Sequence, residues 1–268
     1  MLRSLKDLEL YTATATDGDI GSVVNFLLDD ERWIVRYLVV HTNGIFEGHE
    51  VLISPISFRY VDWSTRQFHL ALTMDKVQKS PSFEVNMPAS REHERGYFRY
   101  YGYSPYWGQS GLWGTGAYPG NLATDLRDEA SVVQSAASSD VHLRSARDIR
   151  GYHIHGTDDA IGHVDDFIVD DESWEIRYLV VDTNNWWFGK KVLVAPHWAT
   201  RISWDEGNVH VDLSRRAIKN CPKWDPAAPV NREYEVRLYD YYGRPVYWED
   251  GKQRVGKPAP FHSGSPPG

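Results

Sequence analysis

One passage is written twice in this chain. Sliding the sequence against itself by 141 residues aligns Ser4–Trp107 with Ser145–Trp248 without a gap, and 37 of the 104 pairs are identical. The core of the passage is RYLVV, at 36–40 and again at 177–181, followed each time by Thr-Asn and closed by Val-Leu and a proline. A duplication of this period sets the domain count. Two copies are too few for a solenoid, so each is expected to fold around its own core, at a length that can be stable alone.

The copies divide the chain into four parts: repeat 1 over 1–107, a connecting segment over 108–140, repeat 2 over 141–248 and a tail over 249–268. The connector, GQSGLWGTGAYPGNLATDLRDEASVVQSAASSD, is Gly-rich at first and Ser/Ala-rich later. It reads as a long, partly disordered linker with room for one short helix between Leu122 and Ala137. The Pro/Gly-rich tail is expected to fray.

Within each copy the pattern is that of short strands. IGSVVNFLLDD and IGHVDDFIVDD are β-rich runs that end in acidic turn residues, and the RYLVV runs return from those turns as hairpins. HEVLISP and KKVLVAP make a third strand, ended by Pro55 or Pro196. A further hairpin is expected over 60–72 and over 201–213. Strands at this spacing suggest a small closed or nearly closed barrel. Helix signals follow: Asn231 is a suitable N-cap for REYEVRLYDYYG, Gly243 a suitable stop, and Tyr234, Leu238 and Tyr241 fall on one face. Ser90 and Gly102 bound the equivalent helix of repeat 1, where Gly96 weakens the interior.

The run DGDIGSVVNFLLDDERWIVRYLVVHTN…VLISP, repeated as DDAIGHVDDFIVDDESWEIRYLVVDTN…VLVAP, resembles the PRC-barrel domain. That family is named from the cytoplasmic domain of the photosynthetic reaction-centre H subunit, and a similar barrel forms the C-terminal part of ribosome-maturation factors of the RimM type. The resemblance covers roughly 4–83 and 145–224, and the Tyr-rich helix with its Tyr-Trp ending resembles extensions on stand-alone bacterial members. It implies a mainly β protein: two tandem small antiparallel β-barrels, each with a short C-terminal helical extension, used to bind other macromolecules. It does not fix a function. The alike copies are expected to pair as an intramolecular pseudo-dimer, with 97–107 and 238–248 as the candidate contact.

Charge and cysteine content narrow the function classes. The formal net charge is −8, and repeats 1 and 2 carry 11 and 14 basic residues against 14 and 17 acidic ones. Nucleic-acid binding usually leaves a basic footprint, so this balance speaks against it. Cys221 is the only cysteine, which excludes an intrachain disulfide and a thiolate zinc cluster. No apolar run approaches the ~20 residues of a membrane-spanning helix, and MLRSLKDLELY lacks a secretory h-region. A cytoplasmic chain is the expectation.

No catalytic signature is present, and no enzyme activity, metal or cofactor is expected. His153, His155 and His163 surround Asp158 and Asp159, but repeat 1 has Ala13 and Thr14 where repeat 2 has Ile154 and His155. Exposed strand histidines account for them. His69 and His210 recur in both copies and read as strand-face packing. The acidic turns lack the alternating donors and central glycine of a calcium loop. Cys221 is Ser80 in the other copy, a poor nucleophile candidate. Arg36 and Arg177 sit in apolar strands and read as outward-facing residues paired with the acids near 29 and 170, or else as guanidiniums aimed at a partner.

The copies differ most in the loop after Thr-Asn, which holds Ile45 and Phe46 in repeat 1 against Trp186, Trp187 and Phe188 in repeat 2. Large aromatics are costly to leave in water, so these rings should pack on the chain, a partner or a ligand. With Tyr100, Tyr101, Tyr106, Trp107, Tyr241, Tyr242, Tyr247 and Trp248 they form the candidate interaction surface. The expected function is a non-catalytic interaction or regulatory module, docking on a membrane-protein complex as the H-subunit resemblance implies. The alternatives are an RNA-processing or ribosome-assembly factor and a small-ligand binder.

Overall fold

The computed structural model describes residues 1–42, 49–81, 91–107, 109–123, 142–183 and 190–248. Repeat 1 contains β1 (Leu2–Ser4), α1 (Leu5–Leu8), β2 (Thr12–Ala15), β3 (Gly18–Asp29), β4 (Ile34–Thr42), β5 (Glu50–Ile53), β6 (Phe58–Asp62), β7 (Gln67–Leu70), α2 (Met74–Gln78) and α3 (Arg91–Tyr101). A single turn, α4 (Gly120–Ala123), lies in the connector. Repeat 2 follows the same order: β8 (Leu143–Ser145), α5 (Ala146–Ile149), β9 (His153–His155), β10 (Ala160–Asp170), β11 (Ile176–Asp182), β12 (Lys191–Val194), β13 (Ala199–Ser203), β14 (Asn208–Val211), α6 (Arg215–Asn220) and α7 (Arg232–Tyr242).

Each repeat supplies six strands of one seven-stranded sheet, ordered β5-β4-β3-β2-β7-β6 in the first and β12-β11-β10-β9-β14-β13 in the second. The seventh strand is β8 against β3 in one sheet and β1 against β10 in the other. Both sheets differ from the expected antiparallel barrels. They are mixed, because β2 pairs β7 in parallel and β9 pairs β14 in parallel. They are also open, since the outer strands of each order do not pair with one another. The cause lies at Pro55–Ser57 and Pro196–Trp198, which form one-turn 3-10 helices. Each makes a corner instead of a hairpin, so the chain runs on without reversing and β7 and β14 return parallel to β2 and β9.

The long hairpins form as expected. Asp29 Oδ1 accepts the backbone N–H groups of Glu31 and Arg32, both at 3.1 Å, and Asp170 Oδ1 those of Glu172 and Ser173 at 3.0 and 2.9 Å. Each tip then closes on a tryptophan with positive φ, 56° at Trp33 and 61° at Trp174. A bulky residue adopts that conformation only where its surroundings impose it. In α7, Asn231 Oδ1 caps the N–H of Tyr234 at 2.9 Å and Gly243 ends the helix at φ 61°. The buried face of α7 is Tyr234, Glu235, Leu238 and Tyr239, while Tyr241 is exposed. The face is thus rotated from the expected one, toward a carboxylate that the apolar periodicity does not mark.

The chain divides into two compact units whose boundaries differ from those of the repeats. One comprises Leu5–Arg147 with Asp170–Glu175; the other comprises Met1–Ser4, Asp148–Val169 and the chain from Ile176. The first part of the connector belongs to the former unit and is not loose there. Trp113 is fully buried, and its indole Nε1 donates to the Ser173 carbonyl at 2.7 Å. Short bridges between Gly111 and Gly114 and between Trp113 and Gly116 fold the segment tightly. An added Cβ at Gly111 would lie 2.6 Å from the Gly116 carbonyl oxygen, so only glycine fits.

Candidate functional site

The densest chemistry is a buried carboxylate cage, built in the same way in each repeat. Glu94 on α3 has no exposed surface. Its Oε1 accepts from the hydroxyls of Tyr37 on β4 at 2.9 Å and Tyr106 at 2.7 Å. Its Oε2 faces Arg91 Nη1 at 3.1 Å and His142 Nε2 at 2.8 Å. In repeat 2, Glu235 Oε1 accepts from Tyr178 and Tyr247, both at 2.7 Å, and Oε2 pairs with Arg232 Nη1 at 3.0 Å. Each position of this set recurs 141 residues on except His142, whose counterpart is Met1.

Beside the first cage, Arg36 is buried and binds Asp29 Oδ2 through Nη2 at 2.9 Å and Nε at 3.2 Å. Its guanidinium lies 3.6 Å from the ring centre of Tyr106 and 4.7 Å from that of Trp113, and Nη1 donates to the Leu112 carbonyl at 2.7 Å. The expected acidic partner is present, but the arginine does not face outward. Planar stacking and a fork of donors are what a guanidinium offers in a buried site. Arg177 repeats the stacking, 4.2 Å from the ring centre of Tyr247.

The environment fixes the protonation states. Burial, with the Glu94 charge added to it, lifts the Tyr37 and Tyr106 hydroxyls well above the usual phenol range. Both therefore stay donors to the carboxylate. Burial alone would raise Asp29, but the Arg36 guanidinium more than offsets it and holds the carboxyl below its ordinary value. At Asp30 burial wins over the Arg144 ion pair, and the carboxyl is pushed up to about 6. A folded value above the unfolded one means that the native state binds more protons between pH 4 and 6. Its contribution to stability is therefore present at pH 4 and is lost as pH rises through about 6, on the order of 2 kcal/mol. Urea unfolding at steps from pH 4 to 7 should show this slope as a difference between the wild type and Asp30→Asn. Parallel curves would refute it.

The sequence-derived candidates scatter. Ile45, Phe46, Trp186, Trp187 and Phe188 lie outside the described residues. Tyr101 and Tyr106 are buried, at 5% and 1% exposure, and belong to the packed framework instead of a surface. Tyr106 is drawn in by Glu94 and Arg36, and Tyr101 stacks on Tyr103 and packs at a tilt against Tyr97. Tyr100, Trp107, Tyr242, Tyr247 and Trp248 are half-buried, and Tyr241 is exposed. Other large apolar residues exposed among the described ones are Met1, Leu10, Tyr60, Tyr118 and Val236. Cys221 is buried, with Lys190 Nζ 3.6 Å from its sulfur.

Three of the histidines named from the sequence, His69, His155 and His210, take part in ring stacking. His155 stacks on His210 at 5.1 Å and contacts Asn208 Oδ1 at 3.2 Å, and His69 stacks on Tyr60 at 4.3 Å. Among the described residues no group of three His, Cys, Asp or Glu side chains is gathered to hold a metal ion. Nor, among them, is any helix long and apolar enough to cross a membrane. The cage glutamates were missed by periodicity. The signal that marks them is their identity in both copies together with Tyr37/Tyr178, Arg91/Arg232 and Tyr106/Tyr247.

Residues 142–217 match the family model of the PRC-barrel domain. The second repeat therefore carries a PRC-barrel domain, and the matched span runs from His142 through β14 into α6. No curated protein matches the chain.

Proposed function

We propose that the protein is a non-catalytic interaction module in which both repeats are domains of the PRC-barrel family and outer residues engage another protein. One observation carries this reading: the best-equipped acid–base cluster of each repeat is committed to the protein's own framework. Glu94 accepts from two tyrosines and faces an arginine and a histidine, all from the same compact unit. A carboxylate with its lone pairs so engaged, and phenols held protonated, leave no group of this cluster poised to act on a substrate. The exposed Tyr60 lies on β6, an outermost strand of its sheet. Such strands offer backbone groups and side chains to a partner. Docking on a membrane-protein complex, from the cytoplasmic side, is the specific form of the proposal, resting on the likeness to the reaction-centre H-subunit domain.

The test is affinity capture with the full chain as bait in detergent-solubilised extract of its native host, read by mass spectrometry. Subunits of a membrane complex should be enriched, and Tyr60→Ser with Tyr241→Ser should reduce their recovery. Enrichment of ribosomal proteins and RNA, lost at raised salt, would replace this proposal with the ribosome-assembly reading.

A further inference from the structure

The two strands that complete the sheets have the same sequence, Leu2-Arg3-Ser4 and Leu143-Arg144-Ser145. Each lies in the unit formed mainly by the other repeat. In the unit built on repeat 1, β8 pairs with β3 through Leu143 opposite Asp29, Arg144 opposite Leu28 and Ser145 opposite Leu27. Asn25 reads the segment in both senses, donating to Ser145 Oγ at 2.9 Å and accepting from the Arg147 N–H at 3.1 Å. Arg144 Nε binds Asp30 at 2.8 Å, and His142 reaches Glu94. Leu143 and Ala146 are buried there.

A second arm of repeat 2 enters the same unit. The hairpin tip Asp170–Glu175 belongs to it, and the positive-φ backbone at Trp174 turns the indole onto Phe58 and Phe68, with ring centres 5.3 and 6.0 Å away. The Val35 N–H donates to the Trp174 carbonyl at 2.8 Å, so the tip is held by backbone as well as by rings. Trp174 is 2% exposed. Repeat 1 thus lacks a sheet strand, a cage ligand and a core tryptophan until repeat 2 provides them. In the other unit, β1 pairs with β10 and Ser4 Oγ donates to Asp166, the counterpart of Asn25.

We infer that the second half of the chain is an obligate binding partner of the first: the two associate by strand exchange and stay associated without the covalent link between them. The face that receives the partner is the flank of β3 from Asn25 to Asp30 together with Phe58 and Phe68. The partner it fits is a Leu-Arg-Ser strand preceded by histidine, plus a hairpin tip that carries tryptophan. His142 gives the exchange its direction. β1 is preceded by Met1, whose thioether side chain cannot stand in for the imidazole that meets Glu94, so the two identical strands are not interchangeable.

The experiment uses the full chain with a specific protease site placed within residues 124–141. After cleavage under native conditions the fragments should co-elute with the light-scattering mass of one intact chain and separate only in denaturant. Elution as two separate folded fragments would overturn the inference. His142→Met and Trp174→Ala together, in the cleavable chain, should weaken the association ~100-fold or more, because they remove a buried polar partner of Glu94 and a core indole. If that doubly substituted, cleaved protein holds together as tightly as the wild type, the fragments associate through other surfaces and strand exchange is not what joins them.

Discussion

Glu94→Ala should destabilise the unit built on repeat 1 by about 3–5 kcal/mol, the range for removing one partner of a buried ion pair. Two tyrosine hydroxyls lose their acceptor, and Arg91 and His142 lose the charge they face. The two hydroxyls and the imidazole cannot turn to water without opening the core, because Tyr37, Tyr106 and His142 are all buried, whereas Arg91 is half-buried. Glu94→Gln keeps the shape but turns an NH2 group toward donors, so its cost should be intermediate. Glu235→Ala is the internal comparison. Arg232 is exposed and no histidine stands in this second cage, so the released charge can be hydrated and the loss should be smaller. Equilibrium urea unfolding of the three variants checks the order. Equal losses at Glu94 and Glu235 would mean that His142 and enclosure contribute nothing.

The glycines at the start of the long strands should be nearly as intolerant. An alanine Cβ at Gly21 would lie 1.9 Å from the His41 carbonyl oxygen, and one at Gly162 would lie 2.0 Å from that of Asp182. Both obstacles are backbone atoms of the neighbouring strand, in residues paired with the next position along, His41 with Ser22 and Asp182 with His163, so no side chain can move aside. Either substitution must part β3 from β4 or β10 from β11 and should cost about 3 kcal/mol or more, at or above the upper end of overpacking. Gly96→Ala is the control. It meets nothing within 4 Å in the middle of α3 and should stabilise by about 0.5–1 kcal/mol through helix propensity. Thermal unfolding of the three variants distinguishes the cases. A Tm for Gly21→Ala equal to that of the wild type would contradict the close approach of the strands.

Particular residues show how far the sequence was legible. The hairpins, the cap at Asn231 and the stop at Gly243 follow from local rules, since each depends on side chains a few positions away. The matched cage residues were visible as identities between the copies, yet their role was not. A glutamate on an otherwise amphipathic helix reads as solvent-facing until Tyr37 reaches it from a strand 57 residues away and Tyr106 folds back from beyond the helix. Tyr106 and Tyr101 were misread as surface for the same reason. Trp113 was hidden in a glycine-rich stretch whose composition suggests disorder, because glycine serves tight turns as readily as loose chain.

The sequence by itself determined the unit of construction: a passage repeated at an offset of 141 residues, with the turn, cap and strand chemistry of a small β domain in each copy. Local chemistry and self-similarity suffice for that. Only the tertiary structure decided that the corners at Pro55 and Pro196 leave each sheet mixed and open, and which copy of the Leu-Arg-Ser strand completes which sheet. Identical strands carry no local preference between two homologous sheets. The choice rests on groups that differ between the copies: His142 against Glu94, and Asn25 against Ser145 and Arg147 where the other sheet has Asp166 against Ser4.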